Sequence, residues 1–193
     1  RVLFRSVIQE CDELQASLAA EDDRRSKVSS LRDRARGERS LAKADDSFEG
    51  QKWPVAIQEY ETVKKLLPAD HPRWRSLSSR IAVAEYEMHI GAASRETDLD
   101  QRIILLEQAS RVTGLEEGRR KNSEKLLRRA RVTRALERAG KQEEAKDWPG
   151  VGKALEEAAR YEDDATKAAE YIVKGKFFAE IGRLVHMVAN RKW

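Results

Sequence analysis

The sequence predicts an all-α chain of antiparallel helix-turn-helix repeats, led by an N-terminal helix or coiled-coil hairpin. Three observations carry this reading. Helix formers (Ala, Leu, Glu, Lys, Arg) dominate, and four prolines and ten glycines are too few for a fold built on many turns. Apolar residues recur at alternating spacings of three and four. A stretch beginning Trp-Pro returns further along the chain in the same register. With 37% charged and 40% apolar residues, many of the latter alanine, the buried layer is expected to be thin and the shape elongated over 193 residues.

Taken in order, Phe4, Val7, Cys11, Leu14 and Leu18 form the expected seam of the first helix. Glu21 and Arg25 interrupt it, and it resumes weakly at Val28, Leu31 and Ala35. We place this segment at residues 1–36 and a repeat domain of about three units at 37–193.

Within the repeats, Trp53-Pro54 is followed by Ala56, Ile57, Tyr60, Val63 and Leu66, and Trp148-Pro149 by Val151, Leu155, Ala158 and Tyr161. A third copy without Trp-Pro runs Leu99, Ile103, Leu106, Ala109, Val112 and ends at Gly114. The anchors Trp53, Leu99 and Trp148 lie 46 and 49 residues apart. Short helices are expected at about 54–67, 99–112 and 149–161, and long ones at about 73–92, 116–146 and 165–190. Pro54 and Pro149 suit the first helical turn, whose amides have no intrahelical partner. Pro68 and Pro72 close one helix and open the next, and Asp98 or Asp100 caps the second short helix.

Residues 53 to 81 resemble the tetratricopeptide repeat. Ala56, Tyr60 and Pro68 stand where that family has A-x3-F and the terminal proline of its second helix, with Tyr for Phe. Trp74 follows six residues later, with Leu77, Ser78 and Ile81 in the places of Leu, Gly and Tyr. Elsewhere the pattern is degraded: Ala44 replaces the glycine of the first unit, Val151 the alanine of the last, and Asp163 the proline. The units are also 12 to 15 residues longer than the family's 34. The resemblance implies a right-handed solenoid with extended helices whose concave face receives a peptide or helix. It assigns that face to Leu41, Asp45, Phe48, Arg75, Ser79 and Ala82. Some family members clamp a terminal carboxylate with Lys, Arg and Asn; here Asp45 stands at the clamp position and the only asparagines are Asn122 and Asn190. Such a ligand is not expected.

Little in the chain suggests catalysis. His71, His89 and His186 have no His or Cys at metal-ligand spacing. Glu85 and His89 share a helix face but lack further carboxylates in the pattern of di-metal bundles. Cys11, the lone cysteine, sits on an apolar seam as a small hydrophobe, excludes an internal disulfide framework, and is compatible with a cytoplasmic setting. "WPGVGKALEE" lacks phosphate-loop spacing and follows no strand; Gly150 and Gly152 read as loosening a helix start. No catalytic residue, metal or cofactor is expected, no transmembrane run is present, and the abrupt ends suggest a piece of a larger protein.

Charge and apolar patterning point to contacts instead. Arg119, Arg120, Lys121, Lys125, Arg128, Arg129, Arg131, Arg134 and Arg138 face only Glu124 and Glu137 within 119–138, a balance of 9 − 2 = +7, while 141–164 is acidic. This basic helix is read as pairing with its acidic neighbours, docking an acidic protein segment, or binding nucleic acid or anionic lipid. No aromatics interleave it, which disfavours base stacking. In the last helix Phe177, Phe178, Ile181 and Leu184, with Ile172, Val173, Val185 and Val188, cover more than one stripe and call for a cover. The function expected is a non-catalytic protein-interaction scaffold; an electrostatic nucleic-acid or anionic-surface binder and a homo-oligomerisation module are the alternatives.

Overall fold

A computed structural model describes residues 2–18, 23–67 and 71–190. Among them the chain is all-helical, in the order α1 (Val2–Ser17), α2 (Arg24–Glu49), α3 (Trp53–Leu66), α4 (Trp74–Arg95), α5 (Leu99–Arg111), α6 (Glu117–Glu144), α7 (Trp148–Tyr161) and α8 (Ala165–Asn190). The helices α3 to α8 therefore stand within about three residues of the bounds expected for the short and long helices. The expected roles of Pro68 and Glu21 lie outside the described residues.

The chain divides into two compact units, one of Arg1–His89 with Val112–Leu115, the other of Ile90–Arg111 with Glu116–Trp193. In the first, α2 runs unbroken through Gly37, where the sequence changes character. A Cβ at Gly37 would lie 2.5 Å from Leu67 Cδ2, so the glycine lets the end of α3 seat against α2. The core joins Leu41 and Ala44 of α2, Ala56, Tyr60 and Val63 of α3, Leu67, and Leu77 and Ile81 of α4, with Phe48, Ile57 and Trp74 around them. Ala44, Ala56, Tyr60, Val63 and Leu77 are fully buried, whereas Ser78 is exposed.

The α1 seam differs from expectation. Val7 and Leu14 are exposed, and the stripe turned toward α2 is Phe4, Ile8, Cys11, Gln15 and Leu18. Both stripes obey three-four spacing; the observed one accommodates Gln15 because Arg32 Nη1 donates to its Oε1 at 2.6 Å, with Asp12 at 3.5 Å.

In the second unit, Ala93, Ile103, Leu106, Leu127 and Ala130 pack together. A separate cluster joins Ala139, Val151, Ala154 and Leu155 with Leu136, Trp148, Tyr171 and Phe178. Here α7 and α8 approach closely: a Cβ on Gly152 would lie 2.8 Å from the Gly175 carbonyl, and one on Gly175 would lie 3.0 Å from the Gly152 carbonyl. Gly152 therefore serves a helix crossing, and Gly150 leaves room for Asp147, whose Oδ1 accepts from Gly150 N at 3.0 Å to cap α7. Neither merely loosens a helix start.

The two Trp-Pro joints end their preceding helices alike. Gln51 and Lys146, each two residues before its Trp, take left-handed φ of 55° and 57°. Lys52 N donates to Ser47 O and Gln51 N to Phe48 O; Asp147 N donates to Gln142 O and Lys146 N to Glu143 O. This paired pattern is a Schellman motif that turns the chain in a few residues. The Leu99 joint is built otherwise, with Asp98 Oδ1 accepting from Gln101 N at 2.9 Å.

Candidate functional site

The residues assigned to a concave face do not form one open surface. Leu41 and Ala82 are buried, so they pack the interior and present nothing to a partner. Phe48 is half-buried, edge-on to Trp53 at 5.3 Å and to Tyr60 at 6.2 Å. Asp45 is engaged: Tyr60 Oη donates to its Oδ1 at 2.8 Å, Arg80 Nη1 donates to the same oxygen, and Arg73 Nη1 lies 3.5 Å from Oδ2. Burial, reinforced by the Asp45 carboxylate and opposed by the Arg80 hydrogen bond, pushes the Tyr60 phenol up to about 12. Ser79 is exposed, and the side chain of Arg75 lies outside the described residues.

The basic helix is α6, and neighbouring acids take up much of its charge. Arg128 Nη1 lies 2.7 Å from Asp163 Oδ1, and Arg131 Nη2 lies 2.9 Å from Glu107 Oε1 with its guanidinium 5.1 Å from the Tyr161 ring centre. Arg134 reaches Asp100 at 3.3 Å and Glu157 at 3.6 Å, and Arg138 also pairs with Glu157. Nearer the helix start, Arg119 pairs with Glu116, and Arg120 and Lys121 with Glu117, all within one helical turn. Among the described residues, Lys125 and Arg129 make no ion pair.

Among the described residues, most of the exposed large hydrophobic side chains lie on the last helix. Its inward face is Tyr171, Gly175, Phe178 and Gly182, with Phe178 stacked on Trp148 at 5.8 Å. On the opposite side Val173, Phe177, Leu184 and Val188 are 68, 61, 46 and 68% exposed, and Ile181 is half-buried; Val185, also exposed, instead continues the inward stripe past Phe178 and Gly182. Phe177 meets Phe178 edge-on at 5.6 Å, so aromatic contact runs from the half-buried Trp148 to the solvent side. Phe177, Ile181, Leu184 and Val188 follow a four-three-four spacing that keeps them on one stripe. Of the residues expected to form an apolar interface, Phe177 and Leu184 lie on this outer stripe, Ile181 lies at its border, and Phe178 belongs to the core.

A further feature was not evident from sequence. A half-open cleft of about 320 Å³ lies between the end of α4, α5 and α6. Its floor is Ala93, Leu106 and Ala130, its walls are Ile90, Leu99 and Leu126, and its rim is Ser94, Arg102, Arg129 and Thr133. The contributing positions come from three helices with weak apolar periodicity, and only their packing brings them together. Among the described residues no group of three or more His, Cys, Asp or Glu side chains is placed to hold a metal ion, and no helix is long and apolar enough to cross a membrane.

The chain matches no protein-family model, and comparison with curated proteins and with solved structures finds no match.

Proposed function

We propose that this chain is a non-catalytic protein-interaction module of tetratricopeptide-like helical repeats that takes a partner's amphipathic helix along the outer face of α8. The observation that carries the reading is the exposed stripe of Val173, Phe177, Leu184 and Val188 on a chain otherwise rich in charge. Contiguous apolar surface of this kind is costly in water and marks interaction sites. The four-three-four spacing of Phe177, Ile181, Leu184 and Val188 matches what a helix laid alongside would need. Lys167, Lys174 and Lys176 make no ion pair among the described residues, which favours a partner helix with acidic flanks. The repeat reading is supported by the shared core of Ala56, Tyr60, Leu77 and Ile81, four of the positions that carry the resemblance.

The test places a photo-crosslinking residue at Leu184 in the native cell and, as a control, at the exposed Glu137. A recurrent crosslink at position 184 to an amphipathic segment of one other protein, lost on Phe177→Glu, is the expected result. Crosslinks to the same chain would replace this reading with homo-oligomerisation. Indistinguishable crosslinks from the two positions would sink it.

A further inference from the structure

We infer that the cleft between α4, α5 and α6 is a second docking site, receiving an acidic-apolar segment of a partner polypeptide: an aliphatic side chain on its floor and a carboxylate at Arg129 and Arg102. This rests on the reading of the chain as an interaction module but concerns a different place on it.

The chemistry of the lining is one-sided. Floor and walls are aliphatic, and the only charged groups among the lining side chains are two guanidiniums. Arg129 has no ion pair, unlike Arg128 and Arg131 beside it on α6. Arg102 donates from Nε and Nη2 to the Glu96 carbonyl, which fixes the guanidinium at the rim and leaves Nη1 for a ligand. The two hydroxyls of the rim donate inward, Ser94 Oγ to Gly91 O at 2.9 Å and Thr133 Oγ1 to Arg129 O at 3.1 Å. The groups left to recognise a ligand are therefore cationic donors above an apolar floor, and the complementary ligand is an anion joined to an aliphatic group. A neighbouring depression lined by Asp98, Asp100, Arg134, Glu137, Arg138 and Lys141 carries both signs and already pairs Arg134 with Asp100, so it offers no comparable preference.

The shape selects a polypeptide. Small-molecule sites enclose about 70–90% of their ligand, and this cleft is half-open along its length. A side chain inserted from a partner has its own backbone to cover the open side. Two arginines on different helices also suit carboxylates at neighbouring positions of one segment.

The test titrates the full chain with a fluorescein-labelled peptide composed of Leu, Asp and Glu, followed by fluorescence polarisation and by methyl NMR shifts of Ile90, Leu99, Leu106 and Leu126. The expected outcome is saturable binding with shifts confined to those methyls. Arg129→Glu, an exposed change checked by circular dichroism, is expected to weaken binding about tenfold or more, while Lys125→Glu, nearby on α6 and outside the cleft, leaves it within about twofold. The proposal is overturned if Lys125→Glu weakens binding as much, since the attraction is then general electrostatics. It is equally overturned if a peptide with Ser for Leu binds as well, if decanoate binds as tightly as the peptide, or if no methyl in the cleft shifts. Retention of the Leu184 crosslink in the Arg129→Glu chain separates failure here from failure of the α8 reading.

Discussion

Tyr60 shows how one side chain ties a helix joint together. Its ring is fully buried among Ala44, Val63 and Leu77, yet its hydroxyl donates to Asp45 on α2 and accepts from Arg80 on α4 at 3.0 Å. A buried phenol satisfied on both sides stabilises only in its neutral form. Because folding raises its titration point from 10.0 to about 12, the stabilisation is complete below pH 10 and is lost as pH rises through 12. Tyr60→Phe is expected to cost about 1 kcal/mol at pH 7 and to flatten the fall in stability between pH 10 and 12. Urea midpoints measured for both chains across that range decide it; parallel pH curves would show that Tyr60 does not contribute. The burial of Tyr60 was legible in sequence from its four- and three-residue spacing to Ala56 and Val63 on α3. Its partners were not, because Asp45 and Arg80 are 15 and 20 residues away and polar, and nothing in helical spacing pairs them.

At the scale of elements, helix ends were the most legible feature and helix faces the least. Trp-Pro, Asp98 and Gly114 act locally on backbone amides and dihedral angles, so a short stretch suffices to read them. Which stripe of α1 turns inward depends on Arg32, a residue on another helix, and for that reason the Val7 and Leu14 assignment failed. The α7–α8 crossing is a similar case, since Gly152 and Gly175 look like helix-weakening residues until each is seen to face the other's carbonyl. Adding a methyl there forces the helices apart, while adding one at Gly140 on α6, where nothing lies within 4 Å, only improves helix propensity. Gly152→Ala is expected to destabilise by about 1–2 kcal/mol, and Gly140→Ala to stabilise by about 0.5–1 kcal/mol. Thermal unfolding of the two variants checks this, and a stabilising Gly152→Ala would show that the close approach is not maintained in solution.

Over the whole molecule, the arrangement of charge matters more than its sum. The net charge of +4 conceals a strongly basic helix, and sequence separation alone could not decide whether its arginines are free. Packing places α5 and α7 beside α6, so that Glu107, Glu157 and Asp163 engage Arg128, Arg131, Arg134 and Arg138. Each pair is at least partly exposed and is worth little to stability by itself. Their collective effect is to lower the positive potential that a polyanion would meet. Glu107→Gln, Glu157→Gln and Asp163→Asn together remove three negative charges, raising the net charge from +4 to 4 + 3 = +7, and release Arg128, Arg131 and Arg138 with little change of shape, while Arg134 keeps Asp100. The native chain is expected to bind poly(U) weakly at 50 mM NaCl, with a shallow dependence on salt. The triple variant is expected to bind more tightly, with a log K against log[salt] slope steeper by about 2, because each of three new single-strand phosphate contacts contributes about 0.7. If the native chain already shows the steep slope, the internal pairs do not hold against phosphate, and the basic helix is a nucleic-acid surface in its own right.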